Sequence, residues 1–461
     1  MESLKLSSLD KSKNIHFIGI GGISMSALAI ILKNDGFSVT GSDFKESAAT
    51  IGLREKGIDV KIGHFPENIE NPSCVCYTAA ISNDNPELIY AKTLGVPVID
   101  RAALLGAIMK NYEVPICVSG THGKTTTTSM LTNVLLKAEL DPTILVGGNL
   151  SSIGGNMRDG GKKYLVTEAC EYCGSFLKFY PFMEIILNVE EDHLDYFKDL
   201  EDIKNCFKNF AALAPKDGYI IANFDDEDVV SVAENANAKV ISYGIKNKKA
   251  DYTAENITYN ENGCGEFDVF YRGDMILHIK LAVTGEHNVS NSLSVTAAAL
   301  ALGIDKKAIA EGILSFSGTD RRFQKRGEYN KASVIDDYAH HPTEIKATLS
   351  ACKNYSKGKI YGVFQPHTYT RAKLLLNEFS ESFFDCDEVV VTDIYAAREK
   401  DTGLINSKEV AEEINKKSKN AVFIKEFTDI CEYLKKKVQP GDVIITLGAG
   451  NVCDVCKLLV E

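Results

Sequence analysis

The sequence is short of positive charge. Lysine and arginine number 51 against 63 aspartate and glutamate residues, which gives a formal net charge of −12. A protein that coats nucleic acid usually presents a net basic surface, so we expect no nucleic-acid partner. Small anionic ligands are not excluded, because a binding site needs only a local positive potential.

Cysteine is also sparse, with twelve in 461 residues. Secreted disulfide scaffolds are normally short and much richer in cysteine, so we expect reduced thiols and a cytoplasmic location. Two CxxC pairs, Cys170/Cys173 and Cys453/Cys456, could together hold zinc. They lie far apart in the sequence, which makes zinc the less favoured interpretation.

Long hydrophobic runs are scarce. Residues 15–32 lack formal charge over about the minimum length of a membrane span. However, glycines, serines and a histidine interrupt the run, which predicts a strand over 15–20, a glycine turn and a helix over 23–32. No small-residue cleavage site follows, so the run does not indicate a signal peptide. We expect no membrane partner.

The length predicts about three domains at roughly 150 residues each. Short apolar runs alternate with amphipathic stretches, a pattern that favours βαβ units and parallel sheets. We predict an α/β fold with an N-terminal Rossmann-like domain (1–110), a central P-loop ATPase-like domain with a mostly parallel sheet (111–325) and a C-terminal Rossmann-like domain (326–461). Expected strands include residues 39–40, 74–78, 116–118, 164–167, 184–189, 219–223, 333–336, 360–364 and 442–447, with a strand-rich stretch over 239–283 and a helix from about 289 to 302.

A glycine-rich turn follows the first expected strand and opens a helix. Backbone amides at a helix N-terminus bind anions. Ser24 replaces the third glycine of the dinucleotide fingerprint, and Asp43 lies about where a ribose-binding acid is expected. The pattern predicts a nucleotide or sugar-nucleotide diphosphate site, with a structural glycine turn as the alternative. The candidate substrate-binding residues here are Gly19, Gly21, Gly22, Ser24 and Asp43.

A second loop, over residues 119–126, lies between another strand and a long helix. It departs from the standard GxxxxGK[ST] pattern because Val118 stands where the first glycine is expected. Its glycines still let amides approach phosphates, Lys124 can reach the β- and γ-oxygens, and the Thr125 hydroxyl can ligate Mg²⁺. We predict nucleoside triphosphate binding by Gly120, Thr121, His122, Gly123, Lys124, Thr125 and Thr126.

Two phosphate-type loops in separate domains restrict the function. A nicotinamide-dependent oxidoreductase has no use for the second loop, and a simple ATPase has no use for the first. An ATP-driven ligase that acts on a nucleotide-linked acceptor uses both.

Several motifs carry a resemblance to a known family. Three motifs together resemble those of the Mur ligases: the loop over 120–126, Gly-Glu-His-Asn-Val-Ser-Asn over 285–291 and Arg-Arg-Phe over 321–323. The motifs at 19–25, 168–172, 337–342 and 365–367 follow in the family's order, so the resemblance covers nearly the whole chain. It implies a UDP-sugar domain, an ATP domain and an amino-acid domain, in that order.

The resemblance also implies the reaction. L-alanine is ligated to the lactyl carboxylate of UDP-N-acetylmuramate through an acyl phosphate, with ATP and Mg²⁺, and ADP and phosphate are released. Lys124 is implied to contact the β- and γ-phosphates, Thr125 and Glu168 to hold Mg²⁺, and His193 to ligate a second ion. We expect a monomer or a homodimer.

Further roles follow from the resemblance. His287 and Asn288 are implied to lie near the adenine, and Arg322, rather than its competitor Arg321, to reach the γ-phosphate. The implied nucleotide and amino-acid contact region contains Asp337, Tyr338, His340 and His341, of which His341 is also a catalytic candidate.

The amino-acid carboxylate is implied to pair with Arg371. Many relatives carry a further arginine where this chain has Thr368, which weakens the expected carboxylate clamp.

Other functions remain open. A recycling ligase that attaches a preformed peptide to the same UDP-sugar shares most of these motifs, and a non-catalytic nucleotide-binding regulator could share the fold. Intact Lys124, Glu168 and His193 argue against the regulator. Folylpolyglutamate synthase lacks the N-terminal sugar-nucleotide domain.

Overall fold

The protein contains three β-sheets that follow one another along the chain. The structure is a computed structural model that describes residues 4–234, 236–397, 399–418 and 420–460. The first sheet has five parallel strands in the order β3-β2-β1-β4-β5. Its elements are β1 (Asn14–Ile18), α1 (Ile23–Asn34), β2 (Ser38–Asp43), α2 (Ala48–Glu55), β3 (Asp59–Ile62), β4 (Pro72–Tyr77), α3 (Pro86–Ala91), β5 (Val98–Asp100) and α4 (Arg101–Met109), with single 3₁₀ turns at Leu6–Ser8 and Pro66–Asn68.

The second sheet has ten strands in the order β15-β14-β13-β12-β11-β10-β6-β9-β7-β8. Its first elements are β6 (Val114–Ser119), α5 (Lys124–Lys137), β7 (Thr143–Leu150), β8 (Gly155–Arg158), β9 (Tyr164–Glu168), β10 (Met183–Ile186), α6 (Leu200–Ala211), β11 (Tyr219–Asn223) and α7 (Glu227–Ala233). The remaining elements are β12 (Lys239–Gly244), β13 (Tyr252–Tyr259), β14 (Cys264–Tyr271), β15 (Asp274–Thr284), α8 (Glu286–Ala301) and α9 (Lys306–Leu314), with 3₁₀ segments at Ser151–Ile153 and Tyr172–Lys178.

The third sheet has six strands in the order β16-β17-β21-β18-β19-β20, and all its pairs except β16–β17 are parallel. Its elements are β16 (Gln324–Tyr329), β17 (Ala332–Asp337), α10 (Pro342–Tyr355), β18 (Ile360–Phe364), α11 (Tyr369–Leu374), α12 (Leu376–Ser380), β19 (Glu388–Val391), α13 (Ser407–Lys417), β20 (Ala421–Phe423), α14 (Phe427–Lys435), β21 (Val443–Leu447) and α15 (Asp454–Val460).

Burial explains why the central strands read as continuous apolar runs. In β6, every residue after Val114 is buried, because the strand lies inside a parallel sheet covered on both faces. At one edge, β13, β14 and β15 form antiparallel hairpins whose turns lie at Asn262-Gly263 and Arg272-Gly273. The α/β class with a mostly parallel central sheet is thereby confirmed, whereas the exact boundaries at 110/111 and 325/326 stay predictions.

Several details differ from the expectations. β2 continues to Asp43, beyond the expected end at residue 40, and β10 ends at Ile186 rather than at residue 189. α8 begins at Glu286 rather than near residue 289. The apolar stretch over 15–32 forms β1, a turn and α1, as predicted. No helix in the described ranges is both long enough and apolar enough to cross a membrane.

Candidate active site

The central glycine-rich loop connects the end of β6 to the start of α5. Gly120 and Gly123 have φ angles of 136° and 84°, a region that favours glycine. Asn188 fixes the loop, because its carbonyl oxygen accepts from the Thr121 amide at 3.2 Å and its Oδ1 accepts from the His122 amide at 2.8 Å. Thr125 is buried in the first turn of α5. The loop therefore presents amides at a helix N-terminus, where anions are favoured.

Lys124 is held at this loop by oxygen atoms. Its Nζ donates to the carbonyl oxygens of Gly120 at 2.5 Å and Thr121 at 3.1 Å, and it lies 3.2 Å from Glu171 Oε2. Burial favours the neutral amine, but the Glu171 charge outweighs it and holds the pKa of Lys124 above its usual value. Lys124 is therefore an ammonium ion. Glu171 had no predicted role, although it lies in the same acidic motif as Glu168.

Glu168 lies beside the loop because β9 pairs with β6, which places it opposite Val118. Its Oε1 accepts from the Gly147 amide at 2.6 Å. A Cβ at position 147 would lie 2.9 Å from that oxygen, so glycine lets the carboxylate keep this position. Mg²⁺ prefers oxygen ligands, and the donors offered by Thr125 and Glu168 fit that preference.

His193 reaches the same centre from the loop after β10. Its backbone φ is 54°, an uncommon value for a residue with a side chain. Its Nε2 lies 3.7 Å from Glu171 Oε1 and 3.8 Å from Asp192 Oδ2. Burial lowers the pKa of His193 and outweighs the two carboxylates, which favours the neutral imidazole that ligates metals.

A cavity of about 450 Å³ opens between the central and C-terminal domains. Its size falls within the range of ordinary small-molecule sites. At its floor, Asn288 Nδ2 donates to the Thr284 carbonyl at 2.7 Å, and Asn291 Nδ2 donates to Asn288 Oδ1 at 3.2 Å. The predicted residues that line it are His122, Gly123, Thr126, His287, Asn288, Arg322 and Asp337. Sequence reasoning missed the apolar wall, which includes Phe316, Ile335 and Tyr355.

The two neighbouring arginines have different surroundings. Arg321 Nε lies 3.1 Å from Asp336 Oδ2, and its Nη2 donates to the Gly448 carbonyl at 2.7 Å, which ties it to the C-terminal domain. Arg322 lines the cavity, and its Nη1 lies 3.8 Å from Glu344 Oε1. This geometry supports the preference for Arg322 as the ligand-facing arginine.

Asp337, at the end of β17, accepts backbone hydrogen bonds on both oxygens. The amides of Phe323 and Ala339 each donate to it at 2.7 Å. Burial raises the pKa of Asp337 to about 6, against the opposing effect of Arg322 and these amides. The carboxyl therefore lies at the cavity with its own orientation fixed.

His122 connects the glycine-rich loop to the C-terminal domain. Its Nδ1 lies 3.2 Å from Glu344 Oε1, and its Nε2 lies 3.6 Å from Glu190 Oε2. Burial favours the neutral ring, yet Glu344 and Glu190 raise the pKa of His122 to about 9. His122 is therefore a cation at neutral pH, enclosed by acids from both domains.

His341 and His340 lie on the C-terminal side of this cluster. His341 Nε2 donates to the Glu191 carbonyl at 3.0 Å, while its Nδ1 accepts from the Thr343 amide at 3.4 Å. Burial and the neighbouring His122 lower the pKa of His341 to about 4. His340 Nδ1 lies 3.0 Å from the Tyr338 carbonyl. The catalytic role of His341 stays a prediction, and both its ring nitrogens have structural partners here.

A second cavity, of about 340 Å³, is lined by Asp192, His193, His367 and Arg371, among others. Arg371 Nη2 donates to Asp192 Oδ1 at 2.7 Å, and Nη1 lies 3.0 Å from His367 Nδ1. Burial raises the pKa of Asp192, but the Arg371 charge outweighs it and keeps that pKa below its usual value. Thr368 caps α11 by accepting from the Arg371 amide, so it positions the arginine's helix without adding charge.

The N-terminal glycine turn forms a separate site. The amides of Gly19 and Ile20 both donate to the Ser42 carbonyl at 2.9 Å. Asp43 Oδ2 accepts from the Gly21 amide at 2.8 Å, so this acid holds the turn. Gly22 is the N-terminal cap of α1. The two exposed aromatic residues near the carboxyl ends of β2 and β3 are Phe44 and Phe65.

The cysteine pairs do not form a joint site. All twelve thiols are free. Within the described ranges, the close groups of metal-ligating side chains are His122–Glu190–His341 and Cys170–Glu171–His193, neither of which contains both CxxC pairs. The zinc interpretation that combined the pairs is therefore wrong.

A three-domain α/β chain with a glycine-rich loop at a helix N-terminus, beside two cavities at a domain junction, has the architecture expected of a ligase driven by a nucleoside triphosphate. Family models match over most of the chain: the Mur ligase family catalytic domain over 14–113, the Mur ligase middle domain over 118–299 and the glutamate ligase domain over 321–450. The chain belongs to the Mur ligase family, whose members are ATP-dependent ligases.

Full-length relatives support this membership. The chain is 52% identical over 461 residues to the UDP-N-acetylmuramate–L-alanine ligase of Acetivibrio thermocellus, covering 100% of this chain and 98% of that protein. It is 50% identical to the enzyme of that name from Caldanaerobacter subterraneus, covering 98% of each chain. The crystal structure of the UDP-N-acetylmuramate-alanine ligase of Thermotoga maritima is similar to it with a TM-score of 0.80 and 30% identity, over 97% of this chain and 98% of that one.

Proposed function

We propose that this chain joins L-alanine to the lactyl carboxylate of UDP-N-acetylmuramate at the expense of ATP, in peptidoglycan precursor synthesis. The observation that carries the proposal is that Lys124 and His193 share one carboxylate, Glu171. Lys124 follows Gly123, which lines the larger cavity, and His193 lines the smaller one. The larger cavity suits a nucleotide and the smaller one an amino acid. The reacting groups would meet between them.

In the first step, a lactyl carboxylate oxygen attacks the γ-phosphorus of ATP. The bond from that phosphorus to the β,γ-bridging oxygen breaks, and ADP leaves. Two anionic groups must approach each other, so fixed cations that offset their charge are the main source of catalysis. Lys124 and Arg322 are our candidates, because Lys124 stays protonated at the loop and Arg322 faces the cavity.

Thr125 and Glu168 would hold Mg²⁺, and His193 would ligate a second ion. When bound, such an ion neutralises charge on phosphate oxygens. The chain's own part is to orient these donors: β9 and the Gly147 amide fix the Glu168 carboxylate, and α5 fixes Thr125.

In the second step, the amine nitrogen of L-alanine attacks the acyl carbon, the bond from carbon to the phosphate oxygen breaks, and the amine loses a proton. Arg371 would bind the alanine carboxylate in the smaller cavity. Asp192 holds its guanidinium ready through two contacts. Tyr338, His340 and His341 would order the loop between the cavities.

The UDP-sugar would bind at the N-terminal turn of Gly19, Gly21, Gly22 and Ser24. Its diphosphate would meet the amides that open α1, such as that of Ser24, and Asp43 would lie beside the ribose while it holds the Gly21 amide. We infer a cytoplasmic enzyme, monomeric or homodimeric. The murein peptide ligase of Psychrobacter arcticus shares the fold at 24% identity, with a TM-score of 0.69. A peptide-adding activity is therefore the second arm of the test.

The test measures phosphate release from ATP with UDP-N-acetylmuramate and, in turn, L-alanine, glycine, L-serine and a preformed stem peptide. We expect release with L-alanine and its loss in Lys124→Ala. Phosphate release with the stem peptide, but not with any of the three amino acids, would instead identify a recycling ligase. No release with any acceptor would support the non-catalytic regulator and overturn the proposal.

A further inference from the structure

A thiol, a carboxylate and an imidazole meet beside the phosphate-binding lysine. One ligand atom from each of Cys170, Glu171 and His193 lies within 4.8 Å of the others. Glu171 is buried, and the other two residues are partly buried. This group differs from the predicted Mg²⁺ site at Thr125 and Glu168, since it offers sulfur and nitrogen as well as oxygen, and it shares only His193 with the predicted second ion site.

Two backbone segments hold the group in place. Cys170 and Glu171 directly follow β9, and the Cys170 carbonyl accepts from the Phe176 amide at 3.2 Å. The His193 carbonyl accepts from the amides of Tyr196 and Phe197 at 2.8 and 2.9 Å, while its ring lies 4.7 Å from the Tyr172 ring. Ligands that are fixed before an ion arrives bind it without a large ordering cost.

We propose that Cys170, Glu171 and His193 bind a borderline divalent transition-metal ion of the Zn²⁺ or Co²⁺ type. One thiolate, one carboxylate and one imidazole form a three-ligand set that leaves a fourth position open, as in catalytic zinc sites. Mg²⁺ prefers oxygen, so the sulfur ligand selects for the softer ions. On binding, the Cys170 thiol releases its proton to solvent and its sulfur forms the bond to the metal.

An ion bound at this site should interfere with the proposed ligation. Only this step of the inference depends on the proposed function. The ion would compete with Lys124 for the Glu171 carboxylate, which lies 3.2 Å from Lys124 Nζ. It would also take His193 away from the ion that it is proposed to hold during catalysis. Zn²⁺ should therefore inhibit the Mg²⁺-supported ligation.

The primary test is spectroscopic and needs no substrate. Co²⁺ is titrated into the purified full chain, and the near-ultraviolet charge-transfer absorbance of a thiolate–cobalt bond is recorded. We expect this band in the native protein and in Cys173→Ser, and its loss in Cys170→Ser. Cys173 is the matched control because it belongs to the same CxxC pair, is exposed and lies outside the cluster.

Absence of the band in the native protein overturns the proposal, as does its persistence in Cys170→Ser. Loss of the band in Cys173→Ser also overturns it. His193→Gln is a second variant that must weaken Co²⁺ binding by at least about tenfold. Circular dichroism confirms that each variant is folded. Because the absorbance requires no turnover, failure of the ligase assignment leaves this result interpretable.

The inhibition is tested separately. We expect the Zn²⁺ concentration that halves phosphate release to rise at least about tenfold in Cys170→Ser, relative to that variant's own activity, and to stay unchanged in Cys173→Ser. Equal sensitivity of both variants would show that Zn²⁺ acts elsewhere.

Discussion

Glu344 joins the phosphate-binding loop to the C-terminal domain, and Glu344→Gln removes its charge while nearly preserving its shape. Its Oε1 lies 3.2 Å from His122 Nδ1 and 3.8 Å from Arg322 Nη1. Its Oε2 accepts from the His340 amide at 3.0 Å. One carboxylate thus contacts the loop, the cavity arginine and the start of α10, and its charge should determine the protonation of His122.

The size of the effect follows from the pKa of His122. Burial lowers this pKa, but Glu344 first and Glu190 second raise it from 6.5 to about 9. At about 1.4 kcal/mol for each tenfold change in proton affinity, the difference corresponds to about 3 kcal/mol of net coupling to the charged ring. Because Glu344 is the largest influence that raises it, we expect the pKa of His122 to fall by about 1 or more in Glu344→Gln.

The sign of the pH dependence is fixed by the direction of the shift. Since folding raises the pKa of His122, its coupling stabilises the native protein fully below about pH 6.5 and is lost as the pH rises through about 9. Glu344→Gln should therefore melt at a lower temperature than the native protein at neutral pH. The difference in melting temperature between the variant and the native protein should narrow above about pH 9.

The assay is a proton NMR titration of the His122 ring, assigned with His122→Gln and paired with thermal melts across pH. Glu328→Gln is the matched control, because Glu328 lies in the same domain, is 54% exposed and pairs only with Lys325 among the residues described. An unchanged pKa of His122 in Glu344→Gln would refute the reasoning. An equal fall in Glu328→Gln would do the same.

Three further outcomes are expected. Lys124→Ala should lower phosphate release at least about 100-fold because a fixed cation is lost. The control Lys307→Ala changes a side chain that is 82% exposed and should leave the rate unchanged. Comparable activity of the two variants would remove Lys124 from the mechanism. Arg371→Ala should raise KM for L-alanine about 10- to 100-fold, the range of a lost charged hydrogen bond, and an equal rise in KM for ATP would contradict an amino-acid-specific role. Glu168→Gln should raise the Mg²⁺ concentration needed for half-maximal rate, and an unchanged requirement would place the ion elsewhere.

Much of the fold could be predicted from hydrophobic patterning. The strands Tyr219–Asn223 and Ile360–Phe364 match the expectation to the residue, because short buried runs bounded by polar residues leave little choice. In contrast, β7 (Thr143–Leu150) was missed. This strand contains Gly147 and Gly148, and a pair of glycines taken alone indicates a turn. In the structure Gly147 lies within the strand, and its amide donates to Glu168. Only the tertiary contact explains that glycine.

In the candidate site, too, local patterns predicted some residues and only the fold revealed others. Lys124 could be predicted from the chemistry of its loop, whereas Arg322 and Arg371 were predicted through the family resemblance. Their carboxylate partners could not be assigned, since the pairing depends on chain crossings that no local pattern records. Arg371 meets Asp192 across 179 residues, and Lys124 meets Glu171 across 47.

These pairings bear on how an acidic protein can bind anionic substrates. Each cation proposed to bind a substrate anion already contacts a carboxylate in this structure: Lys124 with Glu171, Arg371 with Asp192 and Arg322 with Glu344. A buried cation left alone would pay a large desolvation cost, so these acids stabilise the ligand-free site. A phosphate or carboxylate ligand must then replace the resident acid or bind beside it, and its affinity reflects the difference between the two interactions. These acids therefore lower the affinity of the site for anions in general. They also keep the cations oriented, which favours ligands that match their geometry over anions that offer charge alone.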